Sequence, residues 1–126
     1  MIASDIIDLE QYITTNAKAN CKFDNGDIDP NQYPFIKILM TDDFDIFTSN
    51  QKTLTTDLPL ELRVIVAKGN ELKALEVFER LLLKMNQYKT HLGHKLEGTG
   101  NPEYVEETKT FEISIIYNLK LLIQDA

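Results

Sequence analysis

The sequence contains one cysteine, two histidines, two arginines and no tryptophan. A single Cys21 excludes an intrachain disulfide framework and any CxxC metal knuckle, so a reducing, cytosolic setting is the simplest expectation. No apolar run approaches the ~20 residues that span a bilayer. The opening MIASDIIDLE carries acids and no base, unlike a secretory signal. GxSxG, P-loop, GxGxxG and HExxH motifs are all missing, so no motif argues for an enzyme. Five glycines and four prolines form no linker, and without repeats the 126 residues read as one domain, 1–126. At 43% hydrophobic and 26% charged, the chain has enough apolar material for a core.

The net charge is −7, unevenly placed: residues 1–60 hold ten acids and four bases, residues 61–126 ten acids and nine bases. There is no basic stripe to displace counterions from phosphates, which argues against nucleic-acid binding, and an anionic membrane would repel the chain.

Residues 3–19 have the 3.6-residue period of a packing helix, with Ile2, Ile6, Leu9, Ile13 and Ala17 on one face and Ser4 as cap. Residues 20–34 are rich in turn formers and lead through Tyr33-Pro34 into a strand, Phe35–Thr41. Asp42-Asp43 suggests a turn, Phe44–Thr48 a second strand paired with the first as a hairpin, and the rest of 42–57 a polar arm. Residues 58–68 alternate strictly, with Leu60, Leu62, Val64 and Val66 on one face and Glu61, Arg63, Ile65 and Ala67 on the other. Asn70 is placed to cap a helix over 71–88 whose expected core stripe is Leu72, Leu75, Phe78, Leu82 and Met85, widened by Val77, Leu81 and Leu83. A short strand around Lys95 and Leu96, a loop over Gly98–Pro102 and a long strand over Glu106–Ile123 complete the chain. The expected fold is α+β: a mostly antiparallel four- to five-stranded sheet in α–β–β–β–α–β order, with two helices on one face. Ile65, Ile116 and Leu122 on the strands' second faces suit contact with another subunit.

Three clusters invite chemistry, and each has a plainer reading. Asp24-Asn-Gly-Asp-Ile-Asp29 places carboxylates near a glycine, but departs from EF-hand spacing and reads as a solvated turn. His91 and His94 have a zinc-compatible spacing, yet Gly93 argues against one helix carrying both, so they read as surface or helix-end residues. Cys21 has no base or orienting partner and reads as a structural thiol. No catalytic residue, metal or cofactor is expected.

The order and spacing of segments resemble the tail terminator (tail completion, minor tail protein U-like) family of tailed bacteriophages and prophages. The residues that carry the likeness are Tyr33-Pro-Phe-Ile-Lys-Ile38, the polar arm after it, Leu60–Val66 running through Lys68-Gly-Asn70 into the helix from Glu71, and the closing strand Thr110–Tyr117. The resemblance implies a structural role without enzymatic activity. It implies a ring of identical subunits, typically six, that stops growth of the tail tube and meets the neck or connector. Assembly would take place in the bacterial cytoplasm, the product residing in the virion tail. The implied partners are further copies, the tail tube protein and the neck protein. Six copies would carry a formal −42, six times −7, so DNA could slide through the lumen without adhering. On this reading Phe44, Phe47, Leu54, Ile65 and Ile116 are the candidate ring and tube contacts, although Ile65 and Ile116 are equally suited to closing the subunit's own core. The competing readings are a neck or head-completion protein, a small ligand-binding or regulatory α+β domain, and a metal enzyme built on the histidines and the Asp cluster.

Overall fold

Helix α1 (Ile2–Ala17) buries Ile6, Leu9, Ile13 and Ala17, the stripe expected from periodicity. It begins before Ser4, which therefore lies inside the helix rather than capping it. The computed structural model describes residues 2–23, 26–41, 45–48, 50–88 and 94–124. After α1 come β1 (Asn20–Phe23), a 3-10 turn at Pro30–Gln32, β2 (Phe35–Met40), β3 (Asp45–Thr48), β4 (Thr53–Ala67), α2 (Glu71–Gln87), β5 (His94–Val105) and β6 (Thr110–Gln124). The class is α+β, with both helices packed against a six-stranded mixed sheet of order β1-β2-β4-β6-β5, β3 also pairing with β4.

This corrects the expected sheet in several places. Residues 20–23 form a strand, and it runs parallel to β2. Four residues ahead of a turn-rich stretch carry too little pattern to reveal it. β2 and β3 do not form a hairpin with each other; both pair antiparallel with β4, end to end along one edge. The hairpin is β3–β4. Its turn is held by the Asn50 side chain, which accepts from the amides of Lys52 (2.8 Å) and Thr53 (3.0 Å). β4 therefore starts at Thr53, inside the expected polar arm. Pro59 is tolerated because β3 pairs through Asp57 and β2 only from Leu60, leaving the proline unpaired on that edge. The expected loop over Gly98–Pro102 lies within β5, an edge strand whose register shifts between Glu97 and Asn101. An edge strand with an irregularity is where a strand proline is allowed. Gly100 lets the strand approach the Phe78 ring: a Cβ there would sit 3.3 Å from it. Residues 106–109 form a turn, not the start of β6, and Lys109 adopts a left-handed φ of 54°. The Asp42-Asp43 turn lies outside the described residues.

The core lies between the helices and one sheet face. Leu58, Leu60, Leu62, Val64 and Val66 of β4 meet Phe111, Ile113, Ile115, Tyr117, Leu119 and Leu121 of β6 in register, with Ile36 and Ile38 of β2 beside them. Helix α2 is rotated from the expected setting. It buries Ala74, Val77, Phe78, Leu81 and Met85, while Leu72, Leu75 and Leu83 are exposed. Two contacts with α1 fix that rotation: Tyr12 Oη donates to the Lys84 carbonyl (2.6 Å) and Arg80 Nε donates to the Ala17 carbonyl at the end of α1 (2.9 Å). The cation at that carbonyl end also complements the helix dipole. Asn70 precedes α2 without a capping hydrogen bond; instead Glu71 Oε1 accepts from the Gly69 amide (3.0 Å).

Candidate interaction surfaces

The helices pack on one face of the sheet, and the strands' alternation sends the other half of the side chains to the second face, where Phe35, Ile65, Glu112 and Ser114 are nevertheless buried. Three cross-strand rows there concern function. At the β1 end, Phe35, Ile65, Glu112 and Glu103 stand in register across β2, β4, β6 and β5. Next to them, Lys22, Lys37, Arg63, Ser114 and Asn101 form a row across all five strands of the main path. Beyond that stand Leu39, Glu61 and Ile116.

Arg63 is the hub of this face. Its Nη2 lies 2.9 Å from Glu61 Oε1, and its Nη1 lies 3.0 Å from Glu112 Oε1 and 3.8 Å from Glu103 Oε2. Partial burial works against the guanidinium's charge, but the hydrogen bonds it donates to Glu61 and Glu112, with their negative charges, outweigh it and raise its pKa further. Thr110 Oγ1 donates to Glu112 Oε2 (2.8 Å). A hydroxyl has one proton, so Thr108 must supply the hydrogen in its 2.7 Å contact with Thr110. One cation thus fastens carboxylates from β4, β5 and β6. The arrangement joins three strands, and none of its groups is poised as a nucleophile.

At the free edge of β1 a groove of about 660 Å³ runs between α1 and the 26–28 segment, lined among others by Ile7, Glu10, Lys22, Ile28, Phe35 and Lys37. Glu10 Oε1 accepts from the Phe23 amide (3.2 Å), satisfying one edge donor of β1. Cys21 borders the groove but is buried. Burial, reinforced by Glu10 and only partly offset by Lys22, pushes its thiol pKa far up, so it stays protonated and unreactive.

At the opposite end, the β3–β4 hairpin exposes Ile46 and Phe47, at 59% and 51%. Of the candidate contacts, Phe47 is exposed there, Leu54 and Ile116 are half-buried, and Ile65 is buried at 5% on the row with Phe35. Phe44 lies outside the described residues, as do Asp24, Asn25 and His91. Asp29 accepts from the Asn31 amide (3.0 Å) as cap of the 3-10 turn. His94 opens β5. Among the described residues no group of three or more His, Cys, Asp or Glu is placed to hold a metal ion. No helix in that set is long and apolar enough to cross a membrane.

No protein-family model matches this chain, and no curated protein matches it. Sequence reasoning missed Ile46, Lys22 and Lys37. The first alternates with Phe47 and could have been paired with it. The two lysines become neighbours only once the parallel register is known.

Proposed function

We propose that this chain is a structural subunit of a phage or prophage tail, forming a ring that terminates the tail tube and joins it to the head or neck. The observation that carries the reading is the asymmetry of the fold. Helices pack on one sheet face and none on the other, and a hairpin exposes Ile46 and Phe47 at one end of that sheet. Exposed large side chains at the end of a sheet are what a subunit offers to a neighbour. The ion-paired cluster around Arg63 supports the reading as well, because it ties β4, β5 and β6 into one platform. The role carries no enzymatic activity and needs no cofactor. The partners are further copies of this chain, the tail tube protein and the neck protein.

Light scattering behind size exclusion over a wide concentration range, with negative-stain imaging, tests this. A sixfold ring with a central hole supports it, and a closed two-fold dimer refutes it. If the chain is monomeric, purified tail tubes are added: binding at tube ends supports the proposal, and failure to bind overturns it.

A further inference from the structure

We propose that the groove beside β1 takes an extended segment of a different protein, which adds to the sheet as a strand next to β1. The inference goes beyond the ring reading and stands without it. Which backbone groups of β1 face the groove follows from the ladders. Along a strand, successive residues turn their N–H and C=O groups to alternate sides. The β4–β6 ladder runs through Pro59, and only on the β2–β3 side does no strand stand opposite it, so its missing N–H faces that side. The odd-numbered residues of β4 therefore bond Phe35, Lys37 and Leu39, which leaves Ile36 and Ile38 to bond β1. In a parallel pair a residue bonds the two neighbours of its register partner, so Ile36 bonds Asn20 and Lys22, and Cys21 and Phe23 point away from β2. The Phe23 amide agrees, since it donates to Glu10 Oε1 (3.2 Å) in the groove. Cys21 turns an N–H and a C=O the same way, and neither has a partner among the described residues. Cys21 is otherwise buried, at 6% exposure, so what fills the groove must satisfy them. With the Phe23 carbonyl, these are the alternating donors and acceptors that an added strand takes up, and Glu10 stands where its first carbonyl would be. The groove, about 660 Å³, lies between α1 and the 26–28 segment. The four residues of β1 span ~13 Å, so about four residues of the partner pair with it. Glu10 and Asp27 balance Lys22 and Lys37 in the lining, so the groove selects an extended main chain rather than a ligand of one charge. A second copy is a poor source of the segment. The other edge of the main path is β5, where Pro102 and the register shift between Glu97 and Asn101 are features that keep an edge from pairing.

The probes are short linear peptides of random sequence, selected on the immobilised whole chain and then synthesised. The best binder should slow amide hydrogen exchange at Cys21 and Phe23 at least ~10-fold. Methylating its backbone nitrogens at alternate positions should weaken binding at least ~10-fold, and methylating those between should leave it unchanged, because only every second residue faces β1. Thr14→Trp, at an exposed position of α1, fills the groove and should weaken binding at least ~10-fold. Glu10→Ala frees the Phe23 amide and should tighten binding about 3-fold. Far-UV circular dichroism and Tm verify that both variants fold, and the methylated peptides test the wild type whether or not they do. If no selected peptide protects these two amides, or if methylation acts alike at every position, the inference is overturned. Binding that weakens steeply with salt and is lost in Lys22→Ala/Lys37→Ala, whatever the methylation, reports a charge site and also overturns it. If copies associate without peptide and protect the same amides, the occupant is a second copy and the choice of partner is overturned. Ring formation is read separately by light scattering and imaging, so either proposal can fail alone.

Discussion

Replacing Arg63 with methionine keeps the length of the side chain and removes the charge that holds Glu61, Glu103 and Glu112 together. Breaking a fully buried ion pair costs ~3–5 kcal/mol, and an exposed pair is worth ~0–1 kcal/mol. The Arg63 side chain is 26% exposed and that of Glu112 is 12%, so the site falls between these limits. We expect Arg63→Met to cost about 2 kcal/mol at pH 7, a fall in Tm of about 8 °C for a chain of this size. The loss comes from three carboxylates left on one patch, and that fixes its pH dependence. Without the arginine the three carboxylates repel one another in the folded state, where the fold holds them close, more than in the unfolded chain, and protonation removes that repulsion. The deficit should therefore be full at pH 7 and shrink as pH falls toward 4. Urea denaturation of wild type, Arg63→Met, Glu112→Leu and the double variant measures the coupling. The double variant should cost less than the sum of the singles by about 1 kcal/mol or more. Additive losses, or a deficit that does not change between pH 7 and pH 4, would refute the reasoning.

The setting of α2 is tested by two leucines: Leu81→Ala should cost about 3 kcal/mol in urea, while Leu83→Ala should stay within ~0.5 kcal/mol, because Leu81 is buried and Leu83 is 57% exposed. Equal losses would mean that the helix is rotated otherwise. Lys109 holds a left-handed φ of 54° in the β5–β6 turn, so Lys109→Gly should gain about 0.5 kcal/mol, read as a higher urea midpoint at unchanged slope. Burial raises the pKa of Tyr12, and that of Tyr117 strongly; Tyr33 and Tyr88 are raised by burial first and nearby acids second. A raised phenol contributes stability that is whole below pH 10 and is lost as pH climbs through the folded value. Tyrosinate absorbance of the native protein should thus appear at higher pH than in concentrated guanidinium, and stability should fall above pH 10. Coincident titration curves would remove that account.

What the sequence revealed, and what it hid, follows from how far each signal reaches along the chain. The stripe of α1 and the strict alternation of 58–67 are local patterns, and the structure keeps both. Pro102 points the other way, since it reads as part of a loop and lies within a strand, whereas the alternation around Pro59 marked a strand without saying why a proline is tolerated in it. Nothing local says that β3 ends before Pro59 and β2 begins after it, or that β5 is an edge. Helix α2 shows the same limit. Leucine falls on almost every side of it, so periodicity alone does not single out one core face. The choice is made by Tyr12 and Arg80, which tie α2 to α1 through residues 72 and 63 positions away.

The candidate site lay still further out of reach. An active site of the common kinds leaves a motif, because its chemistry demands fixed residue types at fixed spacing. A contact between identical subunits demands only that two surfaces fit. Its trace in one chain is a set of residues poorly suited to a solvated subunit, such as a phenylalanine in water or two lysines side by side. Phe47 was visible as such a residue because the apolar hairpin strand is local. Lys22 and Lys37 are fifteen positions apart in strands of unlike length, and only the parallel β1–β2 register sets them opposite one another. Surface residues of distant strands are therefore brought together by register, which neither periodicity nor motif reports.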